Sequence, residues 1–230
     1  MHTTKKNMLI LGIETATATC AAALWQEGTL LGEIRFKQKK IHAEFLSGMI
    51  RQLMDQSRNA YSALKGIAIS IGPGSFTGLR IGMAMAKGIA YAQNIDVVGI
   101  HTPDAIASNI VPDEMEMIVV LPSRKGEVYA ARYKNLDGAY HREDEIAAIE
   151  IARLPEWADG VRLAAGPGIH ALMKAGLKNF TYLPERFWEI GAGPIARLGA
   201  RKLMAEGPDA VATLEPDYIK PFQTTMAISS

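Results

Sequence analysis

The sequence predicts an α/β fold made of two similar lobes, and two repeated patterns support that prediction. A strand, a Gly-Pro-Gly turn and a helix follow one another around residues 72–74 and again around residues 166–168. Short apolar segments separated by turn residues precede each copy, which is typical of antiparallel strands joined by tight connections. We infer an ancient duplication, with an N-terminal lobe over residues 1–103 and a C-terminal lobe over residues 104–230.

The first half alternates between apolar, β-branched runs that are typical of buried strands and longer segments with helical periodicity. Glycine, proline and threonine mark most of the boundaries, because they end strands or cap helices. The predicted strands are residues 8–13, 20–25, 30–36, 67–71 and 97–100, and the predicted helices are residues 42–56, residues 77–91 and one that Thr102 caps.

The second half repeats this order with weak identity. Its predicted strands are residues 117–121, 127–133, a segment from Tyr140 and residues 161–165, and its predicted helices are one from about Ile169 and one over residues 194–205. The last helix is a candidate to pack back on the N-terminal lobe.

The glycine turn at residues 72–74 has two interpretations. Ser75 and Thr77 follow Gly72 and Gly74, and their side-chain oxygens can cap the next helix. The backbone N–H groups at that helix N-terminus also form a ready site for an anion. Taken alone, the loop favours capping and leaves the anion site open.

The helix after this turn is apolar all round, and only Arg80 and Lys87 interrupt it. Such a helix must be covered on both sides. One side can pack on the sheet, and a second chain is a candidate cover for the other. Small residues at every fourth position would let another backbone approach closely, and they are Gly78, Gly82, Ala86 and Ala90.

Bulk properties exclude several classes of protein. The 25 basic residues balance 24 acidic ones, so net charge does not predict tight nucleic-acid binding. The single cysteine, Cys20, lies in an apolar run and excludes a disulfide framework. No apolar run approaches the length of a membrane helix, so we expect a soluble, cytoplasmic protein.

The stretch Gly72-Pro-Gly-Ser-Phe-Thr-Gly-Leu-Arg-Ile-Gly82 resembles the hallmark of the TsaB/YeaZ family, which are bacterial accessory subunits in making threonylcarbamoyl-adenosine in tRNA. The resemblance implies a two-lobed fold of the actin/hexokinase/Hsp70 (ASKHA) type, in agreement with the duplication. Further agreement lies at residues 11–15, 42–44, 124–129 and 215–219, so the resemblance covers about residues 8–220.

The resemblance implies a non-catalytic scaffold. Members of this family pair with the catalytic subunit TsaD, the ATPase TsaE joins them, and members can form homodimers through the same surface. The chain would then meet tRNA only through the complex, and it would need no cofactor of its own, with ATP or ADP and Mg bound only within the complex. The expected partner surface lies on the helices at residues 42–56 and 77–91, with contacts from Phe45, Met49, Leu53, Arg80, Met83, Ala86 and Lys87.

The resemblance also identifies residues that active relatives would use. Active members of the superfamily place an acid in the first hairpin, near a nucleotide's phosphates and metal, and Glu14 is the candidate here. It joins Gly72, Gly74, Ser75 and Thr77 as a candidate anion or nucleotide loop.

Two other features that the resemblance leads us to look for are missing: one belongs to TsaD-type proteins and one to TsaB relatives. TsaD-type proteins carry two metal-binding histidines four residues apart, whereas His101 is followed by Ala105, so no metal site and no catalytic residue is predicted. TsaB relatives often have Asp-Ala-Arg where this chain has Pro122-Ser-Arg124.

Two other functions stay open. The first is an ATP-dependent small-molecule kinase or ATPase of the same fold, which would use Glu14 and both Gly-Pro-Gly loops. Tight binding of Mg-ATP by the isolated chain would favour it. The second is direct tRNA binding through Lys37, Lys39 and Lys40, which a steep salt dependence of RNA binding would favour.

Overall fold

The first lobe is a five-stranded mixed sheet with helices on its faces. The computed structural model describes residues 8–37, 42–113 and 116–219, so Lys39 and Lys40 lie outside the described residues. Its elements are β1 (Leu9–Glu14), β2 (Thr19–Gln26), β3 (Thr29–Lys37), α1 (His42–Gln56), β4 (Leu64–Gly72), α2 (Phe76–Gln93), β5 (Asp96–His101) and α3 (Thr102–Ala107). The strand order is β3-β2-β1-β4-β5, in which β1, β2 and β3 are antiparallel and β1, β4 and β5 are parallel.

The second lobe repeats this topology. Its elements are β6 (Met117–Pro122), β7 (Glu127–Leu136), β8 (Ala139–Arg142), β9 (Ala147–Glu150), α4 (Leu154–Trp157), β10 (Leu163–Ala165), α5 (Ile169–Lys174), β11 (Thr181–Tyr182), α6 (Glu185–Trp188) and α7 (Ala192–Ala205). The order is β11-β10-β6-β7-β8, and β9 also pairs with β7. A hairpin-linked antiparallel set is again followed by parallel strands, so the predicted α/β fold with two similar lobes is confirmed. The sequence did not predict the short elements β9, β11, α4 and α6.

Helix α7 packs on the first sheet and shares a buried apolar cluster with the second lobe. It lies so close to the first sheet that a Cβ at Gly12 would overlap Ala196, and one at Gly199 would overlap Ala68. The buried α7 residues Ile195, Ala196 and Ala200 belong to a core cluster that contains residues of the first sheet and of β6 and β7 of the second lobe. The N-terminus of α7 is held by Glu33, whose Oε1 accepts hydrogen bonds from the N–H groups of Ala192 at 2.5 Å and Gly193 at 3.1 Å.

The small residues at the start of α2 serve a contact within the chain. A Cβ at Gly74 would overlap the carbonyl of Ala16, and one at Gly78 would overlap the carbonyl of Thr15. A Cβ at Gly82 would overlap the side chain of Thr15. The backbone that approaches this stripe is therefore the connection between β1 and β2, and the stripe does not need a second chain to cover it.

Two smaller expectations have clear outcomes. Cys20 is buried and free, and burial, with a contribution from the charge of Glu14, raises the pKa of its thiol to about 11. Thr102 is not a helix cap, because it is the first residue of α3 and His101 occupies the cap position. Among the described residues, no helix is long and apolar enough to cross a membrane.

We expect Gly78→Ala to lower the free energy of unfolding by about 3 kcal/mol, because its methyl group would meet a backbone carbonyl that cannot move aside. Gly88→Ala is the matched control on the same helix, since it faces open space. That control should raise the free energy of unfolding by about 0.5–1 kcal/mol through helix propensity. Urea unfolding followed by circular dichroism measures both, and equal effects of the two changes would contradict the close packing at Gly78.

Candidate functional site

A cavity of about 890 Å³ lies between the lobes, and residues of both glycine turns form part of its wall. The first lobe contributes residues 16–19 and the start of α2, and the second contributes Leu121, Pro122 and residues of α6 and just after it. Of the predicted loop residues, Gly74, Ser75 and Thr77 line this cavity. Glu14 and Gly72 are not among its lining residues.

The glycine loop uses its hydrogen-bond donors inside the chain. The N–H of Ser75 donates to the carbonyl of Ala16 at 2.7 Å, and the N–H of Gly78 donates to Ser75 Oγ at 3.2 Å. Ser75 is thereby confirmed as the N-cap of α2, whereas Thr77 lies inside the helix. Two donors that a phosphate would need are already occupied, which favours the capping interpretation.

Glu14 supports the first hairpin. Its side chain is buried, and Oε1 accepts a hydrogen bond from the N–H of Thr17 at 2.9 Å. The other oxygen, Oε2, has no hydrogen-bond partner among the described residues. Burial raises the pKa of the Glu14 carboxyl from its ordinary value of 4.5 to about 7, although hydrogen bonds with Ser70 and Thr17 partly offset this effect.

Two hydrogen bonds between polar side chains stabilise the corresponding hairpin of the second lobe. Ser123 Oγ donates to Glu127 Oε1 at 2.9 Å, and Arg124 Nε donates to Glu127 Oε2 at 3.3 Å. Glu127 is buried, so Arg124 and Ser123 hold its charge in place. The segment at residues 124–129 that supported the family resemblance thus has a structural role in this turn.

His101 is held between two carboxylates. Its Nε2 lies 3.1 Å from Asp217 Oδ2, and its Nδ1 lies 3.7 Å from Asp104 Oδ2. Asp104 also accepts a hydrogen bond from Tyr133 Oη at 2.7 Å and pairs with Arg142 at 3.1 Å. Burial alone would raise the pKa of Asp104, but these partners more than offset it, and the pKa is lowered. No group of three or more potential ligands could hold a metal ion within residues 8–37, 42–113 and 116–219.

Lys37 contacts the second lobe. It forms ion pairs with Glu185 and, at 3.3 Å, with Glu189, and all three residues line the cavity between the lobes. The one described lysine of the predicted RNA-binding segment is therefore engaged with carboxylates.

Four of the predicted partner contacts are buried within this chain. Met49, Leu53, Met83 and Ala86 are buried in the core of the first lobe, because α1 and α2 pack those faces against the sheet and each other. Of the predicted apolar contacts, Phe45 is exposed. Arg80 is exposed, and Lys87 is half-buried.

The exposed side of α2 carries a second stripe of small and apolar residues that sequence reasoning missed. Ala84, Gly88 and Ala92 are exposed, and Ile81 and Met85 beside them are half-buried. We call these five residues the α2 surface. Their spacing of four was visible in the sequence, but the parallel stripe at Gly78, Gly82, Ala86 and Ala90 shows the same spacing, and periodicity alone does not say which stripe faces inward.

Comparison with known proteins identifies relatives over most of the chain. The profile of the family described as "TsaD: tRNA N6-adenosine threonylcarbamoyltransferase" matches residues 29–199. The Escherichia coli K12 protein named "tRNA threonylcarbamoyladenosine biosynthesis protein TsaB" is 27% identical over 220 residues, which cover 93% of this chain and 95% of that protein. The Bacillus subtilis protein of the same name is 27% identical over 152 residues, which cover 66% of this chain and 65% of that protein.

Solved structures agree in fold. The structure titled "YeaZ from Pseudomonas aeruginosa" matches with a TM-score of 0.78 at 22% identity and covers 92% of this chain and 99% of that chain. A second Pseudomonas aeruginosa structure, of a protein with similarity to peptidase YeaZ, has a TM-score of 0.80 at 23% identity and covers 93% of this chain and 100% of that chain. At these identities the likeness concerns the fold.

We expect Glu14→Gln to remove a destabilising effect of high pH. The unfolded chain loses the Glu14 proton near pH 4.5 and the folded chain near pH 7, so the favourable contribution of Glu14 is full below pH 4.5 and is lost as pH rises to about 7. Relative to the native protein, the variant should gain on the order of 3 kcal/mol in free energy of unfolding between pH 4.5 and pH 8. Urea unfolding at several pH values measures this difference. The control is Glu145→Gln, which removes an exposed carboxylate, and the same gain there would contradict the assignment to Glu14.

Proposed function

Because this chain belongs to the TsaD family, and within it to the TsaB/YeaZ group, we propose that it is an accessory subunit in forming N6-threonylcarbamoyladenosine in tRNA. In this proposal the chain pairs with a TsaD-type catalytic subunit and holds it in a competent state. The observation that carries the proposal is the match to TsaB of Escherichia coli over nearly the whole length of both chains.

Support for a non-catalytic role comes from the groups that an active relative would need. The N–H groups of Ser75 and Gly78 donate to Ala16 and Ser75 within the chain, and the Glu14 side chain is buried. Pro122 occupies the position where TsaB relatives often have an aspartate, and the nearby Arg124 and Glu127 are hydrogen-bonded to each other. We infer that the partner subunits supply the groups that bind nucleotide and Mg in the complex.

The α2 surface is the proposed contact with the TsaD-type subunit. Its exposed residues are small, so a partner helix can approach closely, and its half-buried neighbours Ile81 and Met85 supply apolar area. Phe45 on the neighbouring helix α1 is an exposed aromatic group of the kind that anchors interfaces. We propose that a second copy of the chain competes for this same surface, that a TsaE-type ATPase joins the paired subunits, and that the assembly acts in the cytoplasm and meets tRNA through the complex.

We expect depletion of this protein to remove threonylcarbamoyl-adenosine from cellular tRNA. Nucleoside mass spectrometry of purified tRNA measures the modification directly, and re-expression of the native chain should restore it. A second modified nucleoside from the same digest serves as the control for tRNA recovery. An unchanged level of threonylcarbamoyl-adenosine after verified depletion would contradict the proposal.

We expect Ala84→Glu to weaken association with the TsaD-type protein at least about tenfold, since it places a charge in an apolar contact. The monomer should stay folded, because Ala84 is exposed. Ala152→Glu, at an exposed position of the second lobe, is the matched control and should leave association unchanged. Ala86→Glu should instead unfold the chain, because Ala86 is buried. Calorimetric titration and thermal unfolding separate these outcomes, and full association of the folded Ala84→Glu variant would exclude the α2 surface.

A further inference from the structure

The segment that follows α7 returns along the first lobe. Asp209 forms an isolated antiparallel bridge with Val97, on the open edge of β5. Farther on, the N–H of Asp217 donates to the carbonyl of Ile71 at 2.8 Å. The segment thereby covers the edge of the sheet and reaches the first turn of α2, which brings its next residue, Tyr218, beside that helix.

Tyr218 fixes the side chain of Arg80. The Nε of Arg80 donates to Tyr218 Oη at 3.1 Å, and the guanidinium carbon lies 3.9 Å from the centre of the Phe76 ring. The Phe76 and Tyr218 rings lie 5.2 Å apart, so the two aromatic groups support each other. An exposed arginine ordinarily samples many rotamers, whereas here one face and one edge of the guanidinium are held.

Part of the fixed guanidinium has no acceptor within the described residues. The hydrogen bond to Tyr218 occupies Nε, and no described residue accepts a hydrogen bond from the two terminal amino groups of Arg80. Because helical residues advance by about 100° each, Arg80 projects about 40° from Ala84. Arg80 therefore lies at the rim of the α2 surface, on the side of the C-terminal segment.

We propose that Arg80 is a preset receptor for a carboxylate of the TsaD-type partner, and that Tyr218 is the positioning residue that holds it. This inference rests on the proposed pairing through the α2 surface. A guanidinium is opposite in charge to a carboxylate, and its paired donors fit the two carboxylate oxygens. Because the guanidinium is held in place before binding, less entropy is lost when the carboxylate binds. A single arginine beside an apolar stripe suits the rim of a protein interface, whereas an RNA site needs several cations along a backbone.

The test measures association of the native chain with the TsaD-type protein of the same organism by calorimetric titration at low and high salt. Arg80→Ala should weaken association about tenfold at low salt and flatten its salt dependence, because it removes the charge. Arg80→Lys should also weaken association about tenfold but keep the salt dependence, because the lysine keeps the charge and loses the paired donors. Tyr218→Phe should weaken association about threefold with an unchanged thermal midpoint, because it removes only the hydroxyl. Arg162→Ala, an exposed arginine of the second lobe, is the control and should have no effect.

Three results would overturn the proposal. The first is native affinity in Arg80→Lys, and the second is a loss of affinity in Arg80→Ala that leaves the salt dependence unchanged. The third is weaker binding of tRNA by the isolated Arg80→Ala chain with protein association intact, which would assign Arg80 to phosphate. If the native chain itself fails to bind the TsaD-type protein, the proposed pairing fails as well, and that result is distinct because it precedes any variant.

Discussion

The contact between the β1–β2 connection and the glycine face of α2 is the constraint on which the first lobe depends. The carbonyls of Thr15 and Ala16 occupy space that a Cβ at Gly78 or Gly74 would need. The helix can therefore take one rotation about its axis, and this rotation buries the stripe that contains Ala86. The stripe that contains Ala84 lies on the opposite side of the helix and faces away from the sheet, because two opposite sides of a helix cannot both face the sheet.

This contact also occupies backbone donors at the wall of the cavity between the lobes. A glycine turn at a helix N-terminus has the geometry of an anion site, but here Ala16 and Ser75 accept hydrogen bonds from its backbone donors. Glu14, at the start of the same connection, is enclosed together with them, and its raised pKa reflects this burial. Two backbone donors of the glycine motif thus stabilise the junction of β1, β2 and α2.

Two parts of the chain distant in sequence complete this arrangement. Helix α7 packs closely against Gly12 of the first sheet, its own Gly199 lies against Ala68 of that sheet, and residues of α7 share one buried apolar cluster with the second lobe. The segment after α7 pairs with the edge of β5 and brings Asp217 to His101. Here His101 joins the C-terminal segment to β5, at the place where the resemblance to TsaD-type proteins led us to look for a metal ligand.

The sequence by itself determined the repeated order of strands and helices, because apolar runs, helical periodicity and glycine turns are local signals. The glycine motif that contains Ser75 also predicted the helix cap at that residue and the family to which the chain belongs. Only the tertiary structure decided which side of α2 is exposed, since a helix with apolar residues all round carries no polar face to mark its orientation. The same holds for Arg80 and Tyr218, which are 138 residues apart, because their contact depends on where the chain leads the C-terminal segment after α7.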